Sequence, residues 1–112
     1  MTSRQSQLQE DTYFKVMRLL KKQPFISQRE LAHALGISLG AVNYCLKAML
    51  ARGWIRQYTP VETGVSKVRH AYRLTDDGAT EQVVLARRYL ERKRREHDVL
   101  GAEIQQLSNE FN

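Results

Sequence analysis

The sequence predicts an α+β fold that is mostly helical, with three helices before a hairpin and one long helix after it. Three observations carry this expectation. Apolar residues recur at helical spacing from Tyr13 to Leu50. The period switches to two on either side of a polar stretch holding Gly64. From Gln82 onward there is no proline, and a seven-residue apolar repeat takes over.

Met1 to Gln5 is polar and is expected to fray. The first helix starts near Ser6, with Gln9 as a capping-box partner, or near Asp11. Tyr13, Val16, Met17 and Leu20 form its stripe, widened by Phe14 and Leu19. Lys21 and Lys22 suit its C-terminal end, and Pro24 stops it.

The stretch from Ser27 to Gly53 organises the chain. Ser27 and Glu30 make an S-x-x-E capping box, and Leu31, Ala32 and Leu35 follow on one face. Gly36 ends that helix with a positive φ, and Ile37 plugs the turn. Ser38 caps a second helix, 39–52, whose core face holds Val42, Leu46, Met49 and Leu50, with Cys45 beside them. Its other face carries Gly40, Asn43, Tyr44 and Lys47. A short capped helix, a glycine turn and a longer helix with a polar, non-acidic outer face predict a helix-turn-helix.

Strands are predicted at 54–59 and 69–74, where aromatic and β-branched residues alternate, joined by a Gly-containing loop. Alternation alone leaves the facing of Arg56 and Arg73 open. A hairpin directly after a helix-turn-helix is a wing, so the expected architecture is a winged helix. Thr75 then caps a last helix, with Asp76 and Asp77 in its first turn. Val83, Leu90, His97, Ile104 and Phe111 repeat every seven residues, with Ala86, Lys93, Leu100 and Leu107 between them. Arg87 and Arg94 flank one side of this seam; Glu96, Glu103 and Glu110 flank the other. Such a seam calls for a second chain, and a homodimer through Val83, Leu90, His97, Leu100, Ile104 and Leu107 is expected. The expected division is a DNA-binding unit at 1–80 and a coiled-coil-like dimerisation helix at 81–112.

Charge sharpens the assignment. The chain carries a net +6, and residues 1–80 hold 12 Lys and Arg against 6 Asp and Glu, whereas residues 81–112 hold 6 against 6. The excess therefore sits with the helix-turn-helix and favours a polyanionic partner there. Apolar runs are too short to cross a bilayer, no signal-peptide core stands at the N-terminus, and the setting expected is the cytoplasm. One cysteine excludes an internal disulfide and a zinc cluster. His33, His70 and His97 share no metal-ligand spacing, and no nucleophile–base pair, glycine-rich phosphate loop or paired carboxylate stands out. Neither enzyme activity nor a cofactor or metal is expected.

SQRELAHALGIS, LGAVNYCLKAMLARG, YRLTDDG and ARRYLERKRREHDVLGAEI together give the chain from Ser27 to Leu107 a family likeness. It resembles a small branch of the MarR-type winged-helix regulators, associated in bacteria with exopolysaccharide gene clusters. The resemblance implies sequence-specific DNA binding, transcriptional regulation and dimerisation through helices outside the winged domain. One helix follows the wing here, where full-length MarR proteins build a larger dimer domain with a ligand pocket. A small-molecule effector is therefore not expected.

Double-stranded DNA is the expected partner, with helix 39–52 in the major groove, which admits an α-helix. Asn43 can pair bidentately with adenine, and Lys47 can reach guanine or a phosphate. Tyr44 can donate to a phosphate or stack on a sugar, and Gly40 lets the backbone come close. Ser38 can cap and touch a phosphate together. Gln28 and Arg29 are placed for the DNA backbone, although Arg29 equally suits a surface ion pair. Lys67 and Arg69, on the wing at 60–69, would set affinity rather than sequence. The run Arg92 to Arg95 is bracketed by Glu91 and Glu96 and reads as a solvated face with intrahelical pairs. Cys45 is phased with the core and reads as packing. The rival readings are a protein-interaction winged helix and a binder of structured RNA.

Overall fold

Each helix among the described residues starts at a hydroxyl side chain. The structure, a computed structural model, describes residues 3–58 and 71–112. Its elements are α1 (Arg4–Lys22), α2 (Gln28–Leu35), α3 (Leu39–Ala51), β1 (Ile55–Tyr58), β2 (Ala71–Leu74) and α4 (Asp76–Phe111). Ser3, Ser27, Ser38 and Thr75 each accept a backbone N–H three residues on, satisfying donors that a helix start leaves orphaned. α1 thus begins at Arg4, earlier than either start expected from the sequence. Ser6 is not the cap; its N–H is bound by Ser3 Oγ at 3.1 Å.

The architecture is a winged helix-turn-helix with a long C-terminal helix. The core lies where α1 crosses α2, α3 and the sheet, around Val16, Met17, Leu20, Leu31, Val42, Leu46 and Met49. Cys45 is buried among them, and Leu50 is only half-buried at the edge. β1 and β2 pair antiparallel, Ile55 opposite Leu74 and Gln57 opposite Tyr72. Ile55 and Tyr72 are buried in the core, so their face of the sheet is the inner one. The strands are shorter than predicted. Trp54 precedes β1, and its N–H is bound by the Met49 carbonyl at 2.9 Å instead of joining the ladder. Thr59, Arg69 and His70 lie outside the described residues.

The turn from α3 into β1 is locked by the start of α4. Thr75 N–H donates to the Trp54 carbonyl at 3.0 Å, and Thr75 Oγ1 donates to the Gly53 carbonyl. The same Oγ1 accepts from Gly78 N–H. Gly78 is buried, and a Cβ there would lie 1.8 Å from the Trp54 carbonyl oxygen. Only a glycine lets the two backbones come this close.

α4 is 36 residues long, about 54 Å at 1.5 Å per residue. Its first half packs on α1 with the order of contacts reversed. Leu85 is buried, Tyr89 meets the Phe14 ring at 5.1 Å, and Arg92 pairs with Asp11 and with Glu10. Arg88 adds a bond to Glu10 at 2.9 Å. The expectation that Arg92 belongs to a solvated face is therefore corrected: it reaches across to acids of α1. Arg95 with Glu91 and Lys93 with Glu96 do form the expected intrahelical pairs.

Two predictions follow from this packing. Gly78→Ala should destabilise the fold by about 1–3 kcal/mol or more, because the methyl has no room to move away from backbone. Urea unfolding measures it, and an unchanged midpoint would mean that α4 can start elsewhere. The second concerns Cys45, whose thiol burial pushes above its ordinary pKa. Below the unfolded thiol's pKa of about 8.5, both states keep the proton and pH has no effect through this group. Above it the unfolded state alone loses the proton, so stability falls until the folded thiol ionises too. As the pH rises past about 8.5 the parent should lose more stability than Cys45→Ala, and parallel curves would refute the assignment.

Candidate nucleic-acid interface

α3 has two chemically different sides. Val42, Cys45, Leu46 and Met49 face the core, and the opposite sector carries Gly40, Asn43, Tyr44 and Lys47 at intervals of three and four. Tyr44 is 59% exposed and Asn43 half-buried. α2 and α3 hold a single acid, Glu30, and its carboxylate accepts the Ser27 N–H in the capping box. The outer face of α3 is therefore polar, carries a cation and has no acid. Among the described residues Lys47 and Arg29 have no ion-pair partner.

Local geometry sets how this face is presented. Gly36 adopts φ 66° and ψ 33°, and its N–H is bound by the Ala32 and His33 carbonyls. The chain bends by 111° from α2 to α3 at that point, within the range of a helix-turn-helix. Ser38 Oγ accepts from Ala41 N–H at 3.0 Å and so starts α3. At the other end Arg52 forms the cap, one residue before the expected helix end is complete. Its guanidinium lies over the Tyr13 ring at 5.1 Å and the Trp54 ring at 5.0 Å. Burial raises the Tyr13 pKa, and the Arg52 charge opposes that rise.

Two of the residues singled out in the sequence meet each other. Asn43 Nδ2 donates to Gln28 Oε1 at 3.3 Å, joining the start of α2 to the middle of α3. That bond holds the Asn43 amide plane and leaves its oxygen and second N–H unused by Gln28. Nothing in the spacing of Gln28 and Asn43 announces it, since 15 residues separate them. Gly40 has nothing nearer than Ser38 Oγ, 3.9 Å from where its Cβ would stand. The domain itself does not need glycine at that position. Arg29 and His33 are exposed on α2. Lys67, Arg69 and the wing at 60–69 lie outside the described residues.

Arg56 and Arg73, whose facing alternation left open, are opposite one another in the sheet and both exposed. The predicted seam on α4 is also exposed in the single chain: Val83, Leu90, Leu100, Ile104 and Leu107 all leave about half their surface open. Ala86 is the seam position that also packs against the core. Among the described residues no three His, Cys, Asp or Glu side chains converge as a metal site requires, and no single helix is long and apolar enough to cross a membrane.

Residues 9–56 match the winged helix-turn-helix DNA-binding family. No match is found among curated protein sequences. Several solved structures share the fold. The protein smu.1704 of Streptococcus mutans UA159 is 18% identical with a TM-score of 0.70, over 83% of this chain and 89% of that one. A PadR family transcription regulator of Clostridium difficile R20291 is 19% identical with a TM-score of 0.65, over 80% of this chain and 97% of that one. The adhesin competence repressor of Streptococcus pyogenes is 20% identical with a TM-score of 0.63, over 90% of this chain and 75% of that one. At these identities the likeness is one of fold.

Proposed function

We propose that the chain is a sequence-specific transcriptional regulator that binds double-stranded DNA as a homodimer, α3 entering the major groove. The observation that carries this reading is the outer face of α3. It holds a side chain suited to adenine, a cation one turn further on, and a glycine for which the domain has no use. A helical glycine costs about 1 kcal/mol relative to alanine. Close approach by another molecule is a reason to keep it, and the nearby Ser38 and α3 N-terminus suit a phosphate. Asn43 would read a base, with Gln28 orienting its amide, while Lys47, Tyr44 and Arg29 contact guanine or the backbone. Lys67 and Arg69 on the wing would add backbone affinity. The family match over 9–56 and the regulators that share the fold support the same reading. Control of exopolysaccharide genes rests on the sequence resemblance alone.

Dimerisation through α4 is supported by its exposed seam. Burying each large aliphatic side chain of that seam would contribute about 1.5–3 kcal/mol. Lys93 and His97 interrupt it and would hold the gain to a modest level. The seam lies beside the stripe that packs on α1, so a second chain can cover it without disturbing the domain. A cut at residue 82 would remove Leu85 and Tyr89 from the core, so point substitutions are the cleaner probe.

Selection from a random DNA pool tests the base-reading assignment. Asn43→Ala should cost about 1–3 kcal/mol on the preferred site and relax selectivity at one position. Gln28→Ala should relax the same position more weakly. Gly40→Ala should bind worse although its free protein is about 0.5–1 kcal/mol more stable. Parent-like binding by all of these variants would remove the docking. Sedimentation tests the dimer: Leu100→Glu combined with Ile104→Glu should give a folded monomer. Its footprint should shrink to one half of an inverted repeat whose halves lie about one helical turn, or a whole multiple, apart. A parent that sediments as a monomer and protects one half-site would overturn this part.

A further inference from the structure

We propose that Leu39 reads the C5-methyl group of a thymine in the major groove, about one or two base pairs from the adenine that Asn43 reads. The inference rests on the DNA-binding reading above and names a further part of the sequence selected. Among the described residues, Leu39 and Tyr44 are the large apolar side chains that α3 exposes. Leu39 leaves 46% of its surface open and belongs neither to the core nor to the partly buried side chains packed on it. Ile37, just before the Ser38 cap, already packs against the core at this end of α3. The fold therefore has no use for a leucine at the first position of this helix, and its aliphatic surface lies unfavourably in water. The first turns of α2 and α4 carry acids, which stabilise a helix start. That of α3 is Leu39, Gly40 and Ala41, with no acid.

The helix itself places Leu39 beside the base-reading residue. Leu39 and Asn43 are four residues apart and stand one above the other on one face of α3. Side chains of a helix lean toward its N-terminus, so Leu39 projects beyond the Asn43 amide toward the start of α3. Gly40 next to it is exposed and has no side chain to screen it, and the Ser38 hydroxyl is turned to the Ala41 N–H. Residues four apart on a helix have Cβ atoms about 5–6 Å apart, and successive base pairs are about 3.4 Å apart. The two side chains therefore meet neighbouring steps of one groove. On the major-groove edge only thymine carries a methyl group, whereas the other bases are told apart by donors and acceptors. An aliphatic side chain makes no hydrogen bond, so it gains contact area from thymine alone. Recognition helices apply their N-terminal residues to base edges, which is where Leu39 stands.

Replacing thymine by deoxyuridine, which removes only the methyl group, tests the contact. Selection from a random pool fixes the preferred duplex, and Asn43→Ala marks the adenine. Thymines within about two base pairs of it are then replaced one at a time. One replacement should weaken the parent about fourfold, the worth of one buried methyl group. Leu39→Ala should bind the thymine and deoxyuridine duplexes alike while still choosing adenine through Asn43. The free variant should unfold at the parent's temperature. Equal binding of every duplex by a selective parent would sink the thymine contact alone, as would a Leu39→Ala variant that keeps the preference. A variant that unfolds well below the parent would assign Leu39 to the fold and overturn the proposal too. A parent that selects no duplex from the pool would instead overturn the reading beneath it.

Discussion

The close approach of Gly78 to the Trp54 carbonyl is the constraint on which the rest of the structure depends. Three chain segments meet there: the end of α3, the start of β1 and the first turn of α4. Thr75 serves all of them at once, capping α4 and binding the Gly53 and Trp54 carbonyls. A hairpin of two short strands is marginal by itself in water. Here its inner face lies on the core and its base is held by α4. α3, the two strands and the long helix are therefore tied to one another at this junction.

That anchoring gives the outer face of α3 its meaning. A helix carrying one apolar side and one polar side is common on protein surfaces. What sets α3 apart is that its polar side is organised from outside the helix. Gln28 fixes the Asn43 amide, and Arg52 is drawn away between Tyr13 and Trp54. Base recognition by hydrogen bonds needs donors and acceptors held in place, and a pre-oriented amide loses less freedom on binding.

α4 divides into a packed half and an exposed half. Its N-terminal half belongs to the domain, through Leu85, Tyr89 and the Arg92 pairing with Glu10 and Asp11. Beyond residue 92 nearly every side chain is exposed. The charge partition read from the sequence has a matching structural basis. Part of the positive charge of this helix is consumed by acids of α1 and by intrahelical pairs, whereas Lys47, Arg29 and Arg56 face solvent with no carboxylate partner among the described residues.

The local signals were legible in the sequence because they act over three or four residues. The Ser27–Glu30 capping box, the Gly36 turn, the Ser38 and Thr75 caps and the period of α3 depend on neighbours along the chain, and the order of residues reports them. Which way the outer face of α3 points follows from the same period. Four other features needed the tertiary structure, because each joins residues far apart in sequence. The Asn43–Gln28 bond, the reach of Arg92 to α1, the Gly78–Trp54 contact and the Arg56–Arg73 pairing depend on packing and register. The earlier start of α1 belongs to a different class. Ser3 and Ser6 both offer a cap, and once Ser3 takes the N–H of Ser6 the helix is set from Arg4. Sequence decides which segments can form helices and strands, since that is a matter of local free energy. Only the folded chain decides which of their polar groups are already satisfied and which remain free for a partner.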